Sequence, residues 1–297
     1  MRAPKQRINS QNFSLRFIPF TKISVKVGSF IGQAMAIEPI ERKLEFVNGK
    51  GEKLAGTLLD TGSTNVVLMC HGYLSNRNSC RFSEIASALA DAGMSSFRFD
   101  HANSLFGLSK RIGPFRMGNH AEEVSDIHHA VQLLQSLGKT VTCLLGHSKG
   151  GTNVLKYASE WGDVPRVINL AGRFRVQDGL EQRFGKDILE RLRNSPEGIP
   201  RMEPFGLEWL MTLDDFEERA TLPTASYAAR IKETGKVKML CLHGKEDTTI
   251  PYQESIECAE LSGSAVEVIS GDHNFTKDGD AAIMISRVVS FCTGAPE

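Results

Sequence analysis

The sequence predicts an α/β protein with a mostly parallel sheet that helices cover on both faces. Short apolar runs, such as residues 66–70 and 140–145, are typical of strands buried on both faces. Longer segments between them, such as residues 121–137, place apolar side chains at helical spacing. Polar residues of catalytic type follow several of the apolar runs, and ligands bind beyond the carboxyl ends of parallel strands. These observations predict one α/β fold with a site along one sheet edge.

The elements follow from local signals. Loose alternation over residues 40–59, broken by Val47-Asn-Gly-Lys-Gly51, predicts an antiparallel hairpin. Gly93 and Gly138 are candidate C-caps of two helices. The predicted order after the hairpin is strand 66–70, helix 82–92, strand 94–99, helix 121–137, strand 140–145, helix 152–161, strand 167–171, strand 237–242, helix 253–261, strand 265–269 and helix 281–292.

Residues 174–235 interrupt the alternation. They are charged, contain no strong strand, and have a helical pattern near residues 187–193. We predict that this segment is a short helical cap on the catalytic edge, inserted into a core of residues 38–173 and 236–297. Its apolar residues Phe205, Leu207, Trp209 and Leu210 either line an acyl pocket or pack the cap onto the core, and the sequence leaves both interpretations open.

Residues 1–37 differ in composition from the rest. They contain no Asp or Glu and carry scattered Arg, Lys and Ser residues. This pattern favours an organelle transit peptide, with a disordered basic tail or sequence upstream of the true start codon as the alternatives. We therefore expect an intracellular protein, located in a plastid or mitochondrion if the leader is a transit peptide and cytoplasmic otherwise.

Bulk composition excludes several classes of function. The 297 residues have a formal net charge of +0, so no global charge favours nucleic acid or an acidic membrane surface. No apolar stretch approaches the roughly 18–20 residues that span a bilayer. The six cysteines have no metal-ligand spacing and are expected to be reduced. Nothing in the sequence predicts an oligomeric state.

The motif Gly146-His-Ser-Lys-Gly150 follows the predicted strand 140–145. A serine hydroxyl is a weak nucleophile unless it stands clear of the backbone beside a base. A sharp strand-to-helix turn presents it in this way and leaves room only for small neighbours. Ser148 is therefore the candidate nucleophile.

His273 is the candidate base because it lies in a loop after the last predicted strand and is the last histidine of the chain. His147 is adjacent to the serine and points away from it, and His128 and His129 lie on a helix. Asp247, in the loop after strand 237–242, is the candidate carboxylate that orients the imidazole.

Two other carboxylates compete with Asp247. Glu246 is one residue away, and Asp272 is adjacent to His273. A tetrahedral intermediate also needs backbone N–H donors, for which we expect Lys149, directly after the nucleophile, and Tyr73, after His71-Gly72. The Lys149 side chain is expected to be solvated, with attraction of anionic acyl groups as the alternative. The Tyr73 ring either contacts substrate or packs in its loop.

His120 and His129 could suggest a metal site only with a third ligand. The sequence offers none, so we expect both histidines on a helix surface and predict no metal.

Together, His71-Gly72-Tyr73, Gly146-His-Ser-Lys-Gly-Gly151, Gly244-Lys-Glu-Asp247 and Gly271-Asp-His273 resemble the α/β-hydrolase superfamily. The resemblance covers about residues 40–292 and is strongest to feruloyl (cinnamoyl) esterases and serine-aminopeptidase-like hydrolases. It implies an eight-stranded α/β-hydrolase fold, a Ser148-Asp247-His273 triad, ester hydrolysis through an acyl-enzyme, and no cofactor.

The chain departs from this family in one loop. Many relatives carry Asp-x-x-Gly-x-Gly-x-Ser, whereas residues 100–109 place Asn103 at the first glycine. Because Asn tolerates positive φ, we expect the turn to be kept. Leu105 and Phe106 add apolar bulk nearby.

The sequence therefore predicts a serine esterase that acts on a small-molecule ester. A non-hydrolytic ligand receptor on the same fold, or an amide, peptide or C–C bond hydrolase, remains an alternative.

Overall fold

The computed structural model of the chain describes residues 38–104, 107–203 and 206–294. The strands are β1 Ile40–Val47, β2 Lys53–Asp60, β3 Asn65–Cys70, β4 Ser95–Phe99, β5 Thr140–His147, β6 Arg166–Leu170, β7 Ile199–Met202, β8 Glu208–Met211, β9 Lys238–Gly244 and β10 Ala265–Ile269. The helices are α1 Phe82–Asp91, α2 His120–Ser136, α3 Lys149–Glu160, α4 Leu180–Phe184, α5 Ile188–Arg193, α6 Leu213–Ala220, α7 Thr224–Thr234, α8 Gln253–Ser262 and α9 Asp278–Thr293.

One sheet of eight strands organises the molecule, in the order β1-β2-β4-β3-β5-β6-β9-β10. β1 pairs antiparallel with β2, and β2 pairs antiparallel with β4. All the remaining neighbours are parallel, so β3, β5, β6 and β9 direct their carboxyl ends to one edge. The predicted α/β-hydrolase fold with a mostly parallel sheet is confirmed, including the N-terminal hairpin.

Alternation along each central strand builds a core on both faces of the sheet. In β3, Val66 and Leu68 face one apolar layer, while Val67 and Met69 face the other. Helices α2, α3, α7 and α8 cover the first layer, and α1 and α9 cover the second. Burial on both faces explains why the strand sequence is a continuous apolar run.

The segment predicted as a cap contains two structural parts. Residues of α4, α5, β8 and α6 form a separate apolar cluster with Phe115 and Met117. In contrast, α7 buries Ala228 and Ile231 in the main core beside α3 and α8. The predicted cap 174–235 therefore extends too far, because its last helix belongs to the core layer. The name "the cap" is kept for residues 180–220, as far as they are described.

The sequence shows no strong strand in residues 174–235, and the structure has a short antiparallel hairpin there, formed by β7 and β8. These strands have four residues each, and β7 contains Pro200, which is tolerated in edge strands. The predicted basic leader, residues 1–37, lies outside the described residues.

Candidate active site

Ser148 stands at the sharp turn between β5 and α3, at the carboxyl edge of the sheet. Its backbone has φ 58° and ψ −120°, a combination that side chains other than glycine rarely adopt. The Ser148 N–H donates to the Leu170 carbonyl at the end of β6, at 3.0 Å. The turn thus holds the serine side chain away from its own strand.

Close backbone contacts explain the glycines of this turn. A Cβ at Gly146 would lie 2.1 Å from the Gly150 carbonyl oxygen. A Cβ at Gly150 would lie 2.3 Å from the carbonyl oxygen of Cys70, the last residue of β3. Neither position has room for any side chain, so the turn packs directly on the neighbouring strand.

Ser148, His273 and Asp247 are linked by hydrogen bonds, although they come from three loops. The distance from Ser148 Oγ to His273 Nε2 is 3.0 Å, and that from His273 Nδ1 to Asp247 Oδ2 is 2.7 Å. An ionised carboxylate only accepts hydrogen bonds, so Nδ1 carries the proton and Nε2 is free to accept from the serine hydroxyl. This arrangement has the geometry of a nucleophile, a base and an orienting carboxylate.

Asp247 is held ionised by its own loop. Burial favours the neutral acid, but hydrogen bonds from His243 and His273 outweigh it and hold the pKa of Asp247 below its usual value. The backbone N–H groups of Thr249 and Ile250 donate to Oδ1 at 2.7 and 2.8 Å. All the hydrogen bonds to this carboxylate stabilise its charged form.

His243 is a residue that sequence reasoning missed. It is fully buried at the end of β9, and its Nε2 lies 3.0 Å from both Asp247 Oδ2 and the Ile250 carbonyl oxygen. Because both partners accept, Nε2 carries a proton, and Nδ1 pairs with Ser255 Oγ at 2.6 Å. The spacing of four residues between His243 and Asp247, across a glycine, was the available signal.

The competing carboxylates bind elsewhere. Glu246 accepts from the Gly271 N–H at 2.8 Å. Asp272 accepts from the N–H groups of Asn274 and Thr276 at 3.1 and 3.0 Å. Each carboxylate therefore shapes the loop that carries His273 without contacting the imidazole.

The other candidate bases are occupied as well. His128 stacks on Trp161 with ring centroids 5.2 Å apart, and His129 Nδ1 pairs with the Ser125 carbonyl. His147 lies beside His273, and its Nε2 donates to the His273 carbonyl oxygen at 2.8 Å. Burial and nearby His273 lower the pKa of His147 to about 3, which keeps the ring neutral.

The two predicted oxyanion donors flank the serine. Lys149 is the first residue of α3, where backbone N–H groups have no acceptor within the helix. Tyr73 follows Gly72, and a Cβ at Gly72 would lie only 2.9 Å from Ser148 Cβ. Both residues line the same cavity as Ser148.

The side chains of these two residues serve other contacts. The Lys149 ammonium is buried against Glu123 Oε1 at 2.8 Å, so the expectation of a solvated lysine is wrong. Burial opposes the charge on Glu123, but Lys149 outweighs it and lowers the pKa of Glu123 to about 2. The Tyr73 ring packs on Phe115 at 5.7 Å, and its hydroxyl donates to Glu203 at 3.3 Å.

His120 also differs from its prediction. It is buried at the start of α2 rather than on a helix surface, and it lines the cavity. Its Nδ1 pairs with Asn153 Oδ1 at 2.7 Å, whereas Nε2 is buried without a partner among the described residues. Burial, followed by the charge of Lys149, lowers the pKa of His120 to about 3.

A cavity of about 880 Å³ opens above Ser148 and His273 and is roofed by residues of the cap. Leu207 and Trp209 pack inside the cap cluster and Leu210 is exposed, so none of these three lines the cavity. Leu207 and Trp209 therefore stabilise the cap itself, and Leu210 fits neither of the two predicted roles. Phe205 lies outside the described residues.

Asn103 stands where many members of the family that the sequence resembles have a glycine. Asn103 does not adopt positive φ, contrary to expectation. Its side chain instead binds the backbone of Arg116, donating to the carbonyl at 2.6 Å and accepting from the N–H at 3.2 Å. Leu105 and Phe106 lie outside the described residues.

Neither a membrane-spanning helix nor a metal cluster is found in the described part of the chain. Within residues 38–104, 107–203 and 206–294, no helix is long and apolar enough to cross a bilayer. The same ranges contain no group of three or more His, Cys, Asp or Glu residues arranged to hold a metal ion.

Comparison with known proteins gives one match to a family model and several matches to solved structures. Residues 62–201 match the family model of serine aminopeptidase, S33. No curated protein sequence matches the chain.

Solved structures match over most of their length. Est1E from Butyrivibrio proteoclasticus, solved with ferulic acid, is 16% identical, with a TM-score of 0.66 over 84% of this chain and 98% of that one. The α/β hydrolase GrgF from Penicillium sp. sh18 is 17% identical, with a TM-score of 0.70 over 86% and 98%. The Pyrococcus furiosus esterase Pf2001 is 18% identical, with a TM-score of 0.64 over 90% and 95%.

The sheet order, the serine turn and these matches lead to one conclusion. The chain has the fold of the α/β-hydrolase superfamily and, over residues 62–201, the sequence pattern of its serine aminopeptidase (S33) family.

Proposed function

We propose that the protein is a serine hydrolase that cleaves carboxylic esters through an acyl-enzyme intermediate. The observation that carries this proposal is the hydrogen-bonded chain Ser148–His273–Asp247 at the floor of a cavity. The same side chains on a flat surface could not exclude water or orient an ester. The cavity supplies both functions.

In the acylation half, Ser148 Oγ attacks the ester carbonyl carbon while His273 Nε2 accepts the hydroxyl proton. Asp247 stabilises the imidazolium that forms, since it already accepts from Nδ1 at 2.7 Å. The backbone N–H groups of Tyr73 and Lys149 bind the oxyanion. As the tetrahedral intermediate collapses, His273 gives its proton to the leaving alkoxide, which departs as the alcohol.

In the deacylation half, water takes the place of the serine hydroxyl as the nucleophile. His273 takes a proton from the water as its oxygen attacks the acyl carbon, and the oxyanion forms in the same place. Collapse then breaks the bond to Ser148 Oγ, which recovers its proton from the imidazolium. The products are one acid and one alcohol for each ester and water consumed.

The charges in the cavity support an ester over a peptide with a free amino end. An aminopeptidase must bind an ammonium group next to the scissile bond. Arg173, Arg183 and Arg219 line this cavity, whereas Asp178 is its acidic lining residue among those described. Arg173 and Arg183 are ion-paired with Glu254 and Glu203, but Arg219 forms no ion pair with the described residues, so its charge repels an ammonium group and accepts neutral or anionic substrates.

The test is hydrolysis of a panel of p-nitrophenyl esters and methyl hydroxycinnamates by the wild type and by Ser148→Ala. Hydroxycinnamates are included because Est1E was solved with ferulic acid. We expect the wild type to cleave at least one ester and the variant to lose at least about 10⁴-fold in kcat. A fluorophosphonate probe should label the wild type at Ser148.

Ser87→Ala is the matched control, because Ser87 is exposed on α1. It should retain wild-type turnover and labelling. Equal activity of the wild type and Ser148→Ala, or turnover of none of these esters together with no labelling, contradicts the proposal. The second result would favour a receptor on this fold.

A further inference from the structure

Arg219 is a cavity residue whose guanidinium forms no ion pair with any of the described residues. It lies in α6 of the cap and lines the cavity that contains Ser148 and His273. Its Nε is shielded from solvent and has no hydrogen-bond partner among the described residues. No carboxylate of those residues lies within ion-pairing distance of its guanidinium, in contrast to the other arginines of the cavity.

Arg173 and Arg183 show what a satisfied arginine looks like here. Arg173 pairs with Glu254 at 3.0 Å and donates to the Thr249 carbonyl at 2.7 Å. Arg183 pairs with Glu203 at 3.2 Å. These two arginines form structural contacts, whereas the N–H donors of Arg219 are left for a partner outside the described residues.

The electrostatic surroundings of Arg219 are unfavourable to its charge. Burial, followed by the charges of Arg173 and Arg183, lowers the pKa of Arg219 to about 10, so it remains a cation at neutral pH. Asp215 opposes this effect, but its two carboxylate oxygens accept from the N–H groups of Met117 and Gly118, both at 2.7 Å. Among the described residues, neither Asp215 nor any other carboxylate forms an ion pair with the Arg219 guanidinium.

A second polar atom on this wall also lacks a partner. His120 lines the same cavity with a buried Nε2 that has no partner among the described residues, and Arg219 contributes to the lowered pKa of His120. Buried polar groups in native proteins are almost always hydrogen-bonded, and buried charges are almost always paired. The Arg219 guanidinium lacks an acceptor, whereas His120 donates from Nδ1 to Asn153 and its Nε2 lacks a donor. A ligand of this wall must therefore offer an acceptor to Arg219, while a hydroxyl or a water can donate to His120.

We propose that Arg219 binds a carboxylate of the substrate, so that the preferred esters carry an anionic carboxylate in their acyl or alcohol part. A planar guanidinium matches a carboxylate with two parallel hydrogen bonds. This inference rests on the proposed ester hydrolysis and names the substrate class for it. Arg219 is then a residue that determines specificity, located away from the bond that breaks.

The test compares anionic and neutral esters of matched shape. One pair is mono-p-nitrophenyl glutarate and p-nitrophenyl valerate, and the other is 4-carboxyphenyl butyrate and phenyl butyrate. We expect Arg219→Gln to lower kcat/KM for the preferred anionic ester by about 10- to 100-fold, the range for a lost charged hydrogen bond, and to spare its neutral partner. Arg219→Lys should restore part of this loss.

Two controls separate binding from folding. Arg193→Gln removes an exposed cap arginine and should change neither ester pair. Because the Arg219 guanidinium has no partner in the described protein, Arg219→Gln should melt at the wild-type temperature or above it. A lower melting temperature together with an equal loss on both esters of a pair would indicate a structural role and overturn the proposal.

The outcomes also distinguish this inference from the proposed function. If Ser148-dependent cleavage of neutral esters is found but Arg219→Gln leaves the anionic-to-neutral ratio unchanged in both pairs, the carboxylate proposal fails alone. If no ester is cleaved, the carboxylate proposal is tested by the binding of glutarate alone. Glutarate should then raise the melting temperature of Ser148→Ala and not that of Ser148→Ala/Arg219→Gln, and absence of the first shift overturns the proposal.

Discussion

The floor and the roof of the candidate active-site cavity are built on different principles. The floor, formed by the loops that carry Ser148, Asp247 and His273, satisfies its polar groups within the protein. The roof, formed by the cap, leaves the Arg219 guanidinium unpaired among the described residues. Backbone contacts that exclude even a methyl group fix the floor, whereas a small apolar cluster holds the roof.

This difference suits two separate tasks, which are the cleavage of a bond and the discrimination among substrates. Bond cleavage needs atoms within about 3 Å of each other in a fixed orientation, which a packed sheet edge provides. Selection among esters needs a surface whose charge and shape can vary while the catalytic distances stay constant. In this molecule the two requirements fall on separate apolar clusters, so changes to one should leave the other largely intact.

The largest expected effect comes from breaking the floor at Asp247. Asp247→Asn removes the charge that fixes the His273 tautomer, and we expect kcat to fall by about 10⁴-fold. Glu246→Gln and Asp272→Asn are matched controls that keep the imidazole contacts and should stay within tenfold of the wild type. Steady-state kinetics on one activated ester measures all three, and a comparable loss in either control would assign the orienting role differently.

The next largest effect is expected from acid, which should lower the free energy of unfolding. Burial lowers the pKa values of His71, His120 and His147 from 6.5 to about 4, 3 and 3, so the unfolded chain binds more protons below pH 6.5. Stability then falls as the pH drops, by about 4 kcal/mol in total between pH 7 and pH 5.5. Urea unfolding at several pH values measures this slope.

The variant His147→Gln removes one of the three titrating groups and keeps an N–H near the His273 carbonyl. It should reduce the pH slope by about one third. Asp247 does not contribute in this window, since its lowered pKa affects stability only below about its usual value of 3.8. A pH-independent stability between 7 and 5.5 would contradict this expectation, because it would mean that the three rings bind protons equally well in the folded and unfolded states.

A methyl group tests the packing of the serine turn. In Gly150→Ala the new Cβ would lie 2.3 Å from the Cys70 carbonyl oxygen, so we expect a loss of about 1–3 kcal/mol in unfolding free energy, with reduced activity. Gly279→Ala in α9 is the control, because its Cβ would meet nothing within 4 Å. Thermal unfolding of both variants measures the difference, and equal stability would contradict the packing argument.

The smallest effect is expected where roof and floor meet. Tyr73→Phe removes the hydroxyl that donates to Glu203 at 3.3 Å but keeps the backbone N–H beside Ser148. We expect kcat within about threefold of the wild type and a loss of about 0.5–1.5 kcal/mol in stability. A large fall in kcat would show that the hydroxyl itself acts on the substrate.

The sequence predicted the parts of this architecture that depend on local signals. The apolar run that became β5, the helical spacing of α2 and the glycines around Ser148 each carry their information within a few residues. The chain order serine, aspartate, histidine then selected Asp247 and His273, and the structure brings both to Ser148. Their catalytic roles stay a prediction until the Ser148 and Asp247 variants are measured.

The rest depended on contacts between distant parts of the chain. The side chain of Lys149 was misassigned because its partner, Glu123, lies on another helix. The predicted cap extended to residue 235 and included α7, because α7 has no local feature that distinguishes a core helix from a cap helix. Arg219 has no sequence signal at all, since its significance is a missing partner in three dimensions.

The hydrogen bond from His147 to the His273 carbonyl has a consequence for motion. His147 directly precedes the nucleophile, and its ring holds the loop of the base at 2.8 Å. Because this bond joins the loop of His273 to the residue beside Ser148, we expect displacements of that loop to move both side chains together. The distance between Ser148 Oγ and His273 Nε2 should then vary less than the position of the loop itself.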